Sequence, residues 1–305
     1  MFKSLRLILA FLVGVLALPL VGVALAGAAP PPGCVVSLSP TATETLFAIG
    51  AGHQVQAVDS DSDYPTKGLP KKRINALDPS VEGVLGICKQ TASYPTTKPD
   101  LVVISYDAND IQQKLTSLGV KVVDQDAPST LAGAYGQIEQ LGALTGHVKS
   151  ADELVVSLKK TINADIASVP AHPNKKVTVY YEVGTNPYYS LTSDTFVGSL
   201  MKSLGLVNIA DGDSTSADAG YPQLSAEYIA SANPKLILLA GDASVASVAK
   251  RTAFNKISAV LDHHVIELNA DIASRWGPRL GILMNQLTKA VRSVLADQKL
   301  WSKSE

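Results

Sequence analysis

The chain has 305 residues, 46% hydrophobic and 17% charged, enough apolar side chain to bury a large core and to exclude a disordered polymer. Its 26 Lys and Arg against 27 Asp and Glu leave no cationic surplus for a nucleic-acid backbone, which excludes nucleic acid as a partner. Two cysteines cannot by themselves build a zinc or iron–sulfur framework.

At the N-terminus, Lys3 and Arg6 precede an uncharged run from Leu7 to Ala29, and Ala24-Leu25-Ala26 supplies the small-x-small pattern that signal peptidase prefers. This predicts a signal peptide over 1–26, a linker over 27–34 and export across the inner membrane to the periplasm or cell envelope. Losing Lys3 and Arg6 leaves 24 cations against 27 acids, a mature charge near −3. The run is long enough to span a bilayer as an anchor, but Gly14, Pro19, Gly22, Gly27 and the Pro-rich stretch from Pro30 to Pro32 favour cleavage. Cys34 follows Pro31-Pro32-Gly33, a poor lipobox, so a lipid anchor ranks second.

From Val35 onward strand-like and helix-like segments alternate. Val35 to Leu38, Gln54 to Val58, Leu101 to Ser105 and Lys121 to Val123 read as strands, with helices such as Thr43 to Ile49 and Asn109 to Leu118 between them. This order predicts an α/β, doubly wound lobe with a parallel sheet over 35–128. A helical connector follows over 129–170, in which Ser150 and Glu153 form a capping-box pattern and Pro170 stops the helix. Nineteen residues at about 1.5 Å each span roughly 28 Å, the width of a small lobe, so one long helix is expected to join the lobes. The second lobe, 171–305, offers strands at Val177 to Glu182, Val207 to Ile209, Leu236 to Ala240 and Val265 to Leu268. It ends in a helix from Pro278 to about Leu295, with Leu283, Leu287, Val291 and Val294 on one face. An internal echo supports duplication: Ser80-Val81-Glu82 leads into Lys98-Pro99-Asp100, and Ser225-Ala226-Glu227 leads into Asn233-Pro234-Lys235. Lobe one carries about ten extra residues there, including Cys88 and Tyr94-Pro95.

Five pieces in this order carry a resemblance: Val36-Ser37-Leu38-Ser39-Pro40-Thr41-Ala42-Thr43-Glu44, Asp63-Tyr64-Pro65, Lys98-Pro99-Asp100-Leu101-Val102, Tyr221-Pro222-Gln223-Leu224-Ser225 and Ser274-Arg275-Trp276-Gly277-Pro278-Arg279. They resemble the helical-backbone substrate-binding proteins of ABC importers, most nearly the cobalamin-binding branch, over about Val35 to Ala296. The resemblance implies two lobes, a rigid connecting helix, a ligand held between the lobes and docking on an inner-membrane permease. The Cys88 insertion and the poor lipobox depart from the usual pattern.

Independently of the resemblance, ligands of open α/β sheets lie outside the carboxyl ends of the strands. Ser39 to Thr41, Asp59 to Tyr64, Tyr106 to Asn109, Glu182 to Tyr189 and Asn269 to Trp276 should therefore line a cleft, with Tyr221 at the matching place in lobe two. Aromatic rings with polar tips suit a broad amphipathic ligand such as a corrin with its amide fringe, so Tyr64, Tyr188, Tyr221 and Trp276 are the candidate contacts. The alternative role of any one of them is to plug a loop onto the core. Arg275, beside Trp276, offers a guanidinium fork for a ligand carboxylate or phosphate, whereas Arg279 is expected to pair with Asp271 or Glu267. Asp59, Asp61 and Asp63 alternate but lack the Gly and Glu of a calcium loop, and a solvated loop is expected. His263 and His264 are expected in a solvated turn, His53 beside a helix cap, and His147 and His172 in inter-lobe turns, so no metal site is expected.

No nucleophile elbow, phosphate-binding Gly-Lys-Ser/Thr loop or His-Glu-x-x-His helix occurs, so no catalytic residues are assigned and a secreted hydrolase is the distant alternative. The expected function is that of a monomeric extracytoplasmic solute-binding protein, without a resident cofactor. It would capture cobalamin or a related corrinoid for an ABC importer, with ferric siderophore or haem as the runner-up ligand. Export into an oxidising compartment, and the position of both cysteines at the amino ends of lobe-one strands, predict a Cys34–Cys88 disulfide. Glu82 and Glu227, matched in the internal echo, are the expected permease contacts; in the family resembled, paired glutamates meet transporter arginines.

Overall fold

The computed structural model describes residues 30–91, 95–171, 174–215 and 218–297. The signal segment 1–26, Tyr94 and His172 lie outside the described residues. Lobe one begins with β1 (Val35–Leu38), buried along its whole length because a central parallel strand is covered on both faces. It runs directly into α1 (Pro40–Ala48), capped by Ser39, whose hydroxyl accepts from Ala42 N–H, with Pro40 in the first turn. There follow β2 (Val55–Asp59), β3 (Arg73–Ile74), α2 (Val81–Leu85), β4 (Leu101–Ile104), α3 (Ile111–Ser117) and β5 (Lys121–Asp124). The five strands pair in parallel in the order β3-β2-β1-β4-β5, so the chain reverses direction across the sheet at β1. That reversal opens a crevice at the carboxyl ends of β1 and β4.

The connector is two helices rather than one: α4 (Leu131–Thr145) and α5 (Val148–Ala167). Gly146, at φ 79°, ends α4 in the left-handed conformation, and the chain enters α5 at once. Helix α5 therefore starts before Ser150, with His147 at its N-cap, and the expected capping box does not form. Glu153 instead faces Lys149 at 3.8 Å on the surface.

Lobe two comprises β6 (Val177–Glu182), β7 (Gly184–Thr185), β8 (Tyr188–Tyr189), α6 (Phe196–Ser203), β9 (Leu206–Asn208), β10 (Gln223–Leu224), α7 (Ala226–Ala232), β11 (Leu236–Leu239), α8 (Val245–Ala249), α9 (Ser258–Leu261), β12 (Val265–Glu267), α10 (Ala270–Ala273) and α11 (Leu280–Ala296). Its main sheet is parallel in the order β12-β11-β6-β9, and β10, β8 and β7 form a small antiparallel sheet beside it. The molecule is thus mixed α/β, with two mainly parallel lobes. Its largest apolar cluster runs without a break from Val35, Leu46 and Val103 in lobe one, through Ile138, Val155 and Leu158 of the connector, to Val179, Leu238, Leu283 and Leu287 in lobe two.

Cys34 and Cys88 are joined by a disulfide, their Cα atoms 6.1 Å apart. Cys34 immediately precedes β1, and its carbonyl accepts from Asp100 N–H at 3.0 Å, just before β4. The bond therefore sits at the amino ends of the strands, away from the crevice.

Candidate ligand cleft

Two cavities lie between the lobes. One of about 310 Å³ is lined by Pro40, Thr41, Asp61 and Ser105, which leave the carboxyl ends of β1, β2 and β4, and by Asp271 and Ser274 to Trp276, which follow β12. The other, about 670 Å³, is bounded by Ala127 to Ser129 beyond β5 and by lobe-two loops that include Thr192 to Thr195, Asp211 and Tyr221. Both occupy the place that the topology assigns to a ligand of open α/β sheets.

The floor of the smaller cavity is an ion cluster that crosses from one lobe to the other. Glu44 on α1 is 2% exposed. It accepts from Arg275 Nη1 at 2.7 Å, from Arg279 Nη2 at 2.6 Å and from Arg279 Nε at 2.8 Å. Arg275, itself buried, also donates to Asp63 Oδ1 at 2.7 Å, to the Asp61 carbonyl at 2.9 Å and to Asp271 Oδ1 at 3.2 Å. A buried charge is tolerated only when paired and hydrogen-bonded, and each guanidinium here meets that condition. Partial burial raises the Asp63 carboxyl, but the Arg275 hydrogen bond and charge outweigh it and hold the group below its usual range.

Gly277 lets the turn lie against α1: a Cβ there would stand 3.3 Å from the Thr41 carbonyl and from Thr45 Oγ1. Trp276 is thereby presented to the cavity, with its indole Nε1 donating to Gln137 Oε1 on α4 at 2.7 Å. Tyr64, 41% exposed, lies with its ring 4.5 Å beneath the Arg279 guanidinium, a cation–π distance. Tyr64, Arg275 and Trp276 are therefore brought together. Tyr221, 48% exposed, lines the larger cavity instead. Tyr188 is half-buried within lobe two, its ring 5.4 Å from that of Phe254 and 5.1 Å from the Arg251 guanidinium, which binds Glu182.

Several expectations are corrected. Arg279 pairs with Glu44, not with Asp271 or Glu267, because its side chain reaches across to α1. The Asp59 to Asp63 segment is solvated only in part: Ser60, Asp61 and Asp63 are exposed, but Asp59 ends β2 and is buried with Ser62. Asp59 is buried, accepts from the Ser62 hydroxyl and from Asp61 N–H, and burial raises its carboxyl despite those bonds. His264 is buried although its neighbour His263 is exposed, because the chain turns inward into β12. Sequence reasoning also missed Gln137, which no local pattern marks, and the role of Glu44, which stands inside the Ser39-to-Glu44 motif. Tyr106, in a segment expected to line the cleft, is 65% exposed beyond β4 and was not singled out. Glu82 and Glu227 are both exposed at the second position of α2 and α7, behind capping Ser80 and Ser225.

The sequence model of the periplasmic binding protein family matches residues 35–272. The chain belongs to that family. It is 28% identical over 270 residues to an ABC transporter substrate-binding lipoprotein of Bacillus subtilis, YvrC, covering 85% of this chain and 80% of that one. It is likewise 28% identical over 276 residues to the vitamin B12-binding protein of Pectobacterium atrosepticum, covering 88% and 90%. Among solved structures, a possible iron-binding (periplasmic solute-binding) protein of Staphylococcus epidermidis superposes with a TM-score of 0.71 at 28% identity, covering 88% of this chain and all of that one. Members of this family carry a bound solute rather than a resident cofactor. No helix among the described residues is long and apolar enough to cross a membrane.

Proposed function

We propose that this protein is the extracytoplasmic solute receptor of an ABC importer and that its solute is cobalamin or a related corrinoid. One observation carries the choice of ligand: the two arginines at the cleft floor are already matched by Glu44, Asp63 and Asp271. The floor therefore offers no spare guanidinium for the carboxylates of haem or of an anionic siderophore. Around the cavities stand Trp276 and Tyr221 beside Ser and Thr hydroxyls, with Asp194, Lys202 and Asp211 as the charged groups of the larger one; a mainly aromatic and hydroxyl lining suits a corrin face and its amides. The B12-binding relative supports the same reading. The exposed Tyr64, whose phenol could ligate ferric iron, and the iron-binding neighbour favour haem or ferric siderophore as the second reading.

Titration calorimetry of the mature protein with cyanocobalamin, haemin and a ferric siderophore tests the choice. Saturable binding of cyanocobalamin alone is expected. Binding of haemin with a tyrosinate-ligated spectrum, and none of cyanocobalamin, would overturn it. Because Cys34 is bonded to Cys88 it has no thiol for a lipid, which favours an unlipidated mature protein, in contrast to the B. subtilis relative. Export by a cleaved signal peptide, the monomeric state and contact of Glu82 and Glu227 with the permease complete the reading.

A further inference from the structure

Glu44 lines neither cavity, yet it binds Arg275, which lines the smaller one next to Trp276, and Arg279, which lies over the Tyr64 ring. Its two oxygens take three bonds from Arg275 and Arg279, residues of lobe two that bracket Trp276 in the chain. Each arginine then reaches a second lobe-one feature. Arg275 ties down the Asp61 carbonyl and Asp63 side chain, immediately before Tyr64, and Arg279 lies over the Tyr64 ring. Trp276 has one further tether, to Gln137. A neutral residue at Glu44 would remove the carboxylate that Arg279 binds and one of the three that buried Arg275 binds, leaving the two adjacent cations less well compensated.

We propose that Glu44 is a positioning residue: through Arg275 and Arg279 it sets the spacing between Tyr64 of lobe one and Trp276 of lobe two, so that the cleft is preorganised before the ligand arrives. The proposal rests on the reading of Tyr64 and Trp276 as ligand contacts. A preorganised site avoids the ordering cost that a loose aromatic pair would meet on binding.

The chain has two tryptophans, Trp276 and Trp301, so a Trp301→Phe background reports on Trp276 alone without any ligand. In that background Glu44→Gln should raise acrylamide quenching of Trp276 and shift its emission to the red, well below the melting temperature and with unchanged far-ultraviolet circular dichroism. Cyanocobalamin affinity should fall about tenfold. Asp63→Asn alters a more exposed partner of Arg275 and keeps the test alive should Glu44→Gln fail to fold; it should give a smaller change of the same sign. A purely structural role would lower the melting temperature but leave Trp276 quenching as in the parent. Unchanged quenching in the folded variants overturns the proposal. Wild-type protein that binds no cyanocobalamin defeats the ligand reading instead, and the ligand-free quenching still decides the role of Glu44.

Discussion

Trp276 is held by its Gln137 hydrogen bond and by the tethered arginines near it in the chain, and its half-buried side chain lines the cavity. An aromatic ring already fixed in place loses little entropy on binding, the circumstance in which one side chain dominates affinity. Trp276→Ala should therefore cost about 2 kcal/mol of cobalamin affinity. Calorimetry that finds the affinity unaltered would remove Trp276 from the site. His264 makes a different kind of prediction. Burial pushes its imidazole below the usual value of 6.5, with Asp297 and Asp262 acting upward and His263 downward, and its Nδ1 is buried without a hydrogen-bond partner. Between the lowered folded value and 6.5 the unfolded chain binds the extra proton, so stability rises with pH across that window. The contribution is complete above about 6.5 and is lost as the pH falls below it. His264→Phe should flatten the unfolding free energy between about pH 7 and pH 5, read by urea denaturation; slopes identical to wild type would refute this.

The disulfide belongs to the scale of elements, because it clamps the start of β1 to the segment between α2 and β4. Its partners are 54 positions apart, and closing a loop of that size in the unfolded chain is worth about 4 kcal/mol before native strain is subtracted. Cys34→Ser/Cys88→Ser should lose up to that amount in denaturant unfolding and keep its ligand affinity, since the bond lies at the strand ends remote from the cleft. A drop in affinity at conditions where the double variant is fully folded would contradict that separation. Elements of this kind were legible in the sequence where burial dictates composition. Leu101–Ile104 and Leu236–Leu239 are apolar throughout because both faces are covered, and α11 shows its stripe because one face meets the core. Two-residue strands such as β7, β8 and β10 hold no period to read, and the start of α5 is set by the turn at Gly146 rather than by a capping side chain. The ion cluster was illegible for another reason. Arg275 and Glu44 are 231 positions apart, and only the folded seam between α1 and the turn before α11 makes them neighbours.

Across the whole molecule, the lobes share one apolar core through α4 and α5 and are tied again at the cleft floor by Glu44. Opening them would expose packed side chains and break α5 or the ion cluster, unlike a hinge of flexible strands. The free and cobalamin-bound proteins should therefore give X-ray scattering profiles with the same radius of gyration within error, and a clear contraction on binding would refute a rigid frame. Such rigidity bears on how a permease recognises the protein, for the two lobes then present fixed surface features. Glu82 and Glu227 are exposed, one on each lobe, at equivalent positions of short helices capped by Ser80 and Ser225. A carboxylate in a first helical turn is favoured by the helix dipole whatever its function, so placement alone assigns no role. The pairing is what points outward, since a permease with two matching cationic sites would meet both at once only if their separation is constant. Rim ion pairs set orientation and association rate and are screened by salt. Glu82→Gln/Glu227→Gln should bind ligand as wild type does yet associate several-fold more weakly with the importer at low salt, with the difference shrinking as salt rises; equal association rates at low salt would show that docking lies elsewhere.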